Sequence, residues 1–247
     1  MAIRPADHGI FAGAAGAVAG AAFFAGGSTG SNVTTVDKFA FPDDSRTTLG
    51  TGLSVARRLL AGAANSGTAA YFGGGYGTGI VATIDKFAFS DDSRTSSASL
   101  SSSRSALAAA ANSGTAAYFG GGYASGVGNV ATVDKFAFPG DGRSTLGTGL
   151  STVRVSLAAT ANSGTAAYFA GGSNGGTVST VDKFAFSDDG RTTLGTGLSS
   201  ARYGLAGAAN SGVAAYFAGG GWSTTVDKFA FSDDSRTTLG TGLSNGV

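Results

Sequence analysis

Residues 202–244 read RYGLAGAANSGVAAYFAGGGWSTTVDKFAFSDDSRTTLGTGLS, four short apolar runs divided by turn residues. The first run, 205–209 (LAGAA), ends at Asn210-Ser211-Gly212. Asn and Gly tolerate the positive φ of a tight hairpin, so the chain is expected to fold straight back through the second run, 213–217 (VAAYF). That run enters the glycine pair Gly219-Gly220. The third run, 225–231 (TVDKFAF), stops at Ser232-Asp233-Asp234-Ser235, whose side chains are suited to bonding a turn backbone. The fourth, 236–243 (RTTLGTGL), leads onward. We call these runs strands a to d. Antiparallel succession places the b–c and d–a connections at one end and the a–b and c–d turns at the other.

The same stretch recurs throughout the chain. Asp-Lys-Phe occurs at Asp37, Asp85, Asp134, Asp182 and Asp227, at intervals of 48, 49, 48 and 45 residues. A Phe ahead of the glycine pair occurs at Phe24, Phe72, Phe119, Phe169 and Phe217, at intervals of 48, 47, 50 and 48. Five units therefore make one domain over residues 1–247, divided at about 8–56, 57–103, 104–153, 154–201 and 202–247. Four strands in a repeat of this length is the pattern of propeller blades, whereas β-solenoid coils are generally shorter. The expected fold is all-β, a five-bladed β-propeller with four antiparallel strands per blade. Small residues in strand a suit the crowded axis. The Phe and Tyr of strands b and c would supply the interblade area, at about 25 cal/mol per Å² buried.

Composition agrees and excludes other classes. Among 247 residues there are 43 glycines, three prolines, no cysteine, and no Glu or Gln, so the usual helix-surface residues are nearly missing. Hydrophobic residues at 42% and aromatics at 10% suffice for a core. Without Cys, disulfide scaffolds and thiolate metal or redox sites are ruled out. A net charge of +1 predicts no general attraction to nucleic acid or to anionic membranes. The uncharged run at 10–27 (IFAGAAGAVAGAAFFAGG) imitates a signal peptide or short membrane span. Its segments 11–15 and 21–27 match 205–209 and 214–220, which makes it the first folded unit, with one extra residue in the turn.

An aromatic strand ending in Gly-Gly, an Arg opening strand a, and a strand c holding Val and an aromatic together resemble the kelch repeat over residues 8–244. Strand d departs from that pattern. Leu49, Leu146, Leu194 and Leu239 stand where kelch repeats usually carry Trp, and the second unit (95–103) lacks even the Leu. The chain is thus kelch-like, and its near-identical Asp- and Arg-rich repeats are also similar in style to kelch-like arrays in virion and tail proteins of tailed bacteriophages.

Repetition bears on chemistry, because a catalytic site is normally a unique constellation. Ionisable residues outside the repeat pattern are Arg4, Asp7 and Arg58, and His8 stands in the place of the repeat Arg. No base, nucleophile and orienting acid remain to combine, so no enzyme activity and no cofactor are expected. The pairs Asp43/Asp44, Asp91/Asp92, Asp188/Asp189 and Asp233/Asp234 are adjacent, whereas calcium loops alternate their ligands, and the third unit offers only Asp141. They read as turn residues in contact with the Arg two positions on, and no metal is expected. Asp and Lys of strand c point to opposite faces, so Asp of one blade is expected to meet Lys of the next.

Two groups are candidates for binding. His8, Arg57, Arg104, Arg154 and Arg202 would ring the d–a connections. In kelch-type domains, which this chain resembles, Arg at such positions can face a ligand pocket; the alternative is that each Arg satisfies loop carbonyls. The b–c loops vary freely and place Tyr76, Tyr123, Asn174 and Trp222 at the same end. Variable loops on a rigid scaffold suit binding, although such aromatics also cover neighbouring blades. The expected function is a non-enzymatic structural or recognition module, set by the resemblance on a virion surface or in another extracellular assembly. Its partners would be other structural proteins or surface glycans, with homo-oligomers possible and no membrane insertion. A soluble multivalent lectin is the first alternative and an ice-binding β-solenoid the second.

Overall fold

The computed structural model describes residues 12–14, 20–41 and 43–246. It is all-β and antiparallel, with no helix among the described residues. Each unit forms one four-stranded sheet in the order a-b-c-d. Unit one comprises Ala12–Ala14, Ala21–Ala25, Val36–Ala40 and Arg46–Thr48. Unit two comprises Ala61–Asn65, Ala69–Gly73, Ile84–Ala88 and Arg94–Ser96, and unit three Ala108–Asn112, Ala116–Gly120, Val133–Ala137 and Gly142–Thr145. Unit four comprises Ala158–Asn162, Ala166–Ala170, Val181–Ala185 and Arg191–Thr193, and unit five Ala206–Asn210, Ala214–Ala218, Val226–Ala230 and Arg236–Thr238. A small sixth sheet joins Arg104–Ser105, Tyr123–Ala124 and Gly128–Asn129.

Register explains why the landmarks recur in phase. The Phe of strand b lies opposite the Asp of strand c in every unit, as Phe72 does to Asp85 and Phe119 to Asp134. The residue before that Phe lies opposite the Lys, as Tyr71 does to Lys86. Neighbouring residues of a strand point to opposite faces, so each sheet has a Phe/Asp face and a Tyr/Lys face. In unit one Ala12 pairs with Phe23, whereas Ala208 pairs with Tyr216. The register of that hairpin thus differs by two positions from the expected alignment. Unit one lacks the Asn-Ser-Gly turn that fixes the other hairpins. The apolar run at 10–27 therefore holds two strands among its described residues, and no described helix is long and apolar enough to cross a membrane.

The core lies between sheets, in four clusters, one for each pair of successive units. Tyr71 and Ile84 of unit two pack with Phe119 and Phe136 of unit three. The Phe/Asp face of unit two packs backward, placing Phe72 and Phe87 against Phe23 and Val36 of unit one. Equivalent clusters join units three to four and four to five. The first strands of successive units adjoin, and the short fourth strands lie outermost and exposed.

Candidate functional site

The Arg that opens each of units two to five sits where strand d of the preceding unit crosses to strand a. Arg57, Arg104 and Arg154 are wholly buried, and Arg202 nearly so. Arg57 donates to Asp85 Oδ2 at 2.9 Å and to the Phe72 carbonyl at 3.0 Å. Arg104 donates to the carbonyls of Gly121 and Thr132, at 2.9 and 2.8 Å, and to the Asp134 carboxylate. Arg154 pairs with Asp182 at 2.6 Å and Arg202 with Asp227 at 3.1 Å. Burial pushes the Arg57, Arg104 and Arg154 pKa values down from the ordinary guanidinium value, and the facing carboxylates act against it.

Each buried Asp is shared with the crossover. The Ser that closes the preceding unit gives it both its N–H and its hydroxyl: Ser54 to Asp85, Ser101 to Asp134, Ser151 to Asp182 and Ser199 to Asp227, all within 2.9–3.0 Å. Strand d adds the hydroxyl of Thr145, Thr193 or Thr238 at 2.7 Å. Burial pushes the Asp227 carboxyl up. The hydrogen bonds from Thr238 and Ser199, with the Arg202 charge, outweigh that and hold it below the ordinary range.

This geometry corrects one expectation and redirects another. The guanidinium groups of Arg57, Arg104, Arg154 and Arg202 are buried and turned onto their own unit's Asp and carbonyls rather than onto the exposed loop end, each leaving its Nε without a hydrogen-bond partner. His8 lies outside the described residues. Strand-c Asp does not meet strand-c Lys. Instead Lys38, Lys86, Lys135 and Lys183 reach the second turn Asp of the following unit, Asp92, Asp141, Asp189 and Asp234, at 2.7–2.8 Å. Lys lies on the Tyr face and Asp on the Phe face, so the two address different neighbours.

The first turn Asp behaves as a turn residue. Asp43, Asp91 and Asp233 accept the N–H of the Ser two positions on, at 3.0–3.1 Å. Bonds from that Ser hold all three carboxyls below the ordinary range. The strand-d Arg turns from the turn Asp to the strand-c Asp, as Arg94 does to Asp85 at 3.2 Å. No cluster of three or more metal-ligating side chains occurs among the described residues.

The b–c loops of units two, three and four are stitched to the d–a connections that open those units. Tyr76 exchanges backbone hydrogen bonds with Arg58, and Ser173 with Val155, while Tyr123 pairs with Ser105. Asn32 Nδ2 reaches the carbonyls of Tyr76 and Gly77, at 3.2 and 3.1 Å, and Asn129 Nδ2 reaches that of Ser173 at 3.3 Å, bridging adjacent loops. The glycine pair permits this approach. Gly74 has φ +65°, and a Cβ there would lie 2.5 Å from the Arg104 carbonyl oxygen.

On this fixed end the side chains of Tyr76, Tyr123 and Trp222 are 39%, 44% and 69% exposed, and Asn174 is exposed beside them. The Arg58 guanidinium lies 5.4 Å from the Tyr76 ring centre. Sequence reading missed Tyr203, which follows Arg202 as Arg58 follows Arg57, and the exposed Val55, Val127 and Val153 on the same loops. The adjacency of these residues to the repeat Arg was the available signal. At the centre, strands a of units two to five line a cavity of about 590 Å³ walled by Ala and Gly, with Thr160 and Tyr216 supplying its polar side chains. Among the described residues no charged side chain lines it. Neither a scan against protein-family models nor a search of curated proteins found a match to this chain.

Proposed function

We propose that the five sheets are kelch-like propeller blades, set side by side with their first strands inward, in a non-enzymatic recognition module that grips a protein neighbour through its b–c and d–a loop end. Inner strands around a common cavity, outer strands at the rim and cores between sheets support the propeller reading. The observation that carries the binding role is the exposed set Tyr76, Tyr123, Tyr203 and Trp222, the first three on segments whose backbones are tied to a neighbouring segment and Trp222 on a loop closed by its own backbone bonds. Rigid aromatics on fixed backbone lose little entropy on binding.

The b–c loops of units two to five present Tyr76, Tyr123, Asn174 and Trp222, and that of unit one carries no aromatic, so the end is asymmetric. An asymmetric surface suits one protein footprint better than a set of equal sugar sites. Its setting, in this reading, is the surface of a virus particle or another extracellular assembly. Crosslinking in the native source, beside a glycan array of the purified chain, tests this. One protein footprint spanning Tyr123 and Trp222 is expected. Glycan binding at a stoichiometry near five would return the lectin instead.

A further inference from the structure

Four junctions between successive units share one set of contacts. Tyr71, Tyr118 and Tyr168 donate their hydroxyls to Asp141, Asp189 and Asp234 at 2.6–2.7 Å, and the strand-c Lys joins the same carboxylate. The aromatic ring stacks on the Phe that ends strand c of the next unit: Phe23 on Phe89, Tyr71 on Phe138, Tyr118 on Phe186 and Tyr168 on Phe231, with centres 5.0–5.3 Å apart. Behind them, the closing Ser of one unit bonds the buried Asp of the next.

Among the described residues, units five and one hold two halves of this junction that meet no counterpart. On unit five, Tyr216 and Lys228 have no acidic partner among the described residues, and strand Ala206–Asn210 is exposed along its length. Leu243, which precedes Ser244, is 37% exposed, whereas its counterparts Leu53, Leu100, Leu150 and Leu198 are buried. On unit one, Phe41 is 48% exposed and Asp44 is exposed without an ion-pair partner among the described residues. The Asp37 side chain is 27% exposed, whereas Asp85, Asp134, Asp182 and Asp227 show none. Among the described residues, Ala12–Ala14 of unit one packs along the first strand of unit two, and no such packing joins it to Ala206–Asn210 of unit five.

We infer that these faces mate between copies of this chain, unit five of one copy on unit one of the next. Tyr216 and Lys228 would take Asp44, the Tyr216 ring would cover Phe41, and Ser244 would bond Asp37. A cation and two donors on one face oppose two carboxylates on the other; the full fit already occurs three times within the chain, and a fourth time with Phe23 in place of the Tyr. The two faces are different surfaces, so the contact is heterologous and propagates into a ring or filament of copies. It rests on the internal junctions alone, independently of what the loop end binds.

The test is the mass of the full chain by analytical ultracentrifugation across about two decades of concentration, for the wild type, K228D, D44K, their equimolar mixture, and the double variant. Expected is a mass that rises with concentration, weakened about tenfold or more in each single variant and restored in the mixture, which regains both a native and a swapped Lys–Asp contact. A wild type that stays monomeric throughout overturns the inference. If the double variant then also regains melting temperature lost by the single ones, the faces close within one chain. Association undiminished by either single variant overturns it as well, because another surface would be responsible.

Discussion

Arg104 and Asp134 form an ion pair in which neither side chain touches solvent, and Asp134 at the same time holds the backbone and hydroxyl of Ser101 from the preceding unit. One carboxylate therefore fixes strand c, the start of strand a and the crossover between units. Removing one partner of a buried pair leaves the other charge uncompensated. Arg104→Ala should lower stability by about 3–5 kcal/mol, read as a shift of the urea midpoint. Arg104→Lys should recover only part of this, because an ammonium cannot span the carboxylate and the Gly121 and Thr132 carbonyls together.

Phe87 is fully buried and meets Phe72 edge-on at 6.0 Å within the cluster joining units one and two. Phe87→Ala should cost about 3–5 kcal/mol in chemical denaturation. A cost near zero would place this ring outside the core.

Acid should weaken the fold. The Asp227 carboxyl has a lower pKa folded than its ordinary value, so its contribution is complete above the unfolded value and is lost as pH falls through the folded one. The denaturation midpoint should therefore be flat near neutrality and decline below about pH 4. Ser199→Ala, which removes one of the bonds responsible, should make that decline shallower.

Alkali acts on a different set. Burial, then the hydrogen bond and charge of the facing Asp, raise the pKa values of Tyr71, Tyr118 and Tyr168 well above the ordinary phenol value. A group with a raised folded pKa contributes fully below its unfolded value, and the contribution is lost as pH rises through the folded one. These three should stay protonated above about pH 10 and ionise only as the sheets separate. The check is a rise in tyrosinate absorbance coincident with loss of circular dichroism.

Trp222 is the sole Trp and stands exposed at the loop end, so intrinsic Trp fluorescence reports on that face alone. Trp222→Ala should change stability by no more than about 0.5 kcal/mol. Titration with the captured neighbour should shift the wild-type emission to shorter wavelength, and the variant should bind more weakly.

Much of the fold was legible because repetition marks every strand and turn: Asn-Ser-Gly ends strand a in units two to five, and Gly-Gly ends strand b. The partners were less legible. A residue that recurs five times shows that it matters in each unit, but neither its own unit nor the next is named by recurrence. Thus recurrence left open whether Arg104 faces a ligand pocket or satisfies loop carbonyls, and it suggested that Lys135 meets a strand-c Asp, while burial and register send the first to Asp134 and the Gly121 and Thr132 carbonyls and the second to Asp189. One clue was present. Unit three drops the first turn Asp yet keeps Asp141, the carboxylate that receives Tyr71 and Lys86.

The Ser-to-Asp bonds set where the molecule can be divided. A boundary drawn at the repeat Arg cuts Ser54 from Asp85, or Ser101 from Asp134, and strands a buried carboxylate without two of its donors. The natural cleavage points therefore lie a few residues upstream of the sequence period. A piece meant to retain units two to five begins at Ser54, so that every carboxylate in it keeps the hydroxyl that came from the unit before.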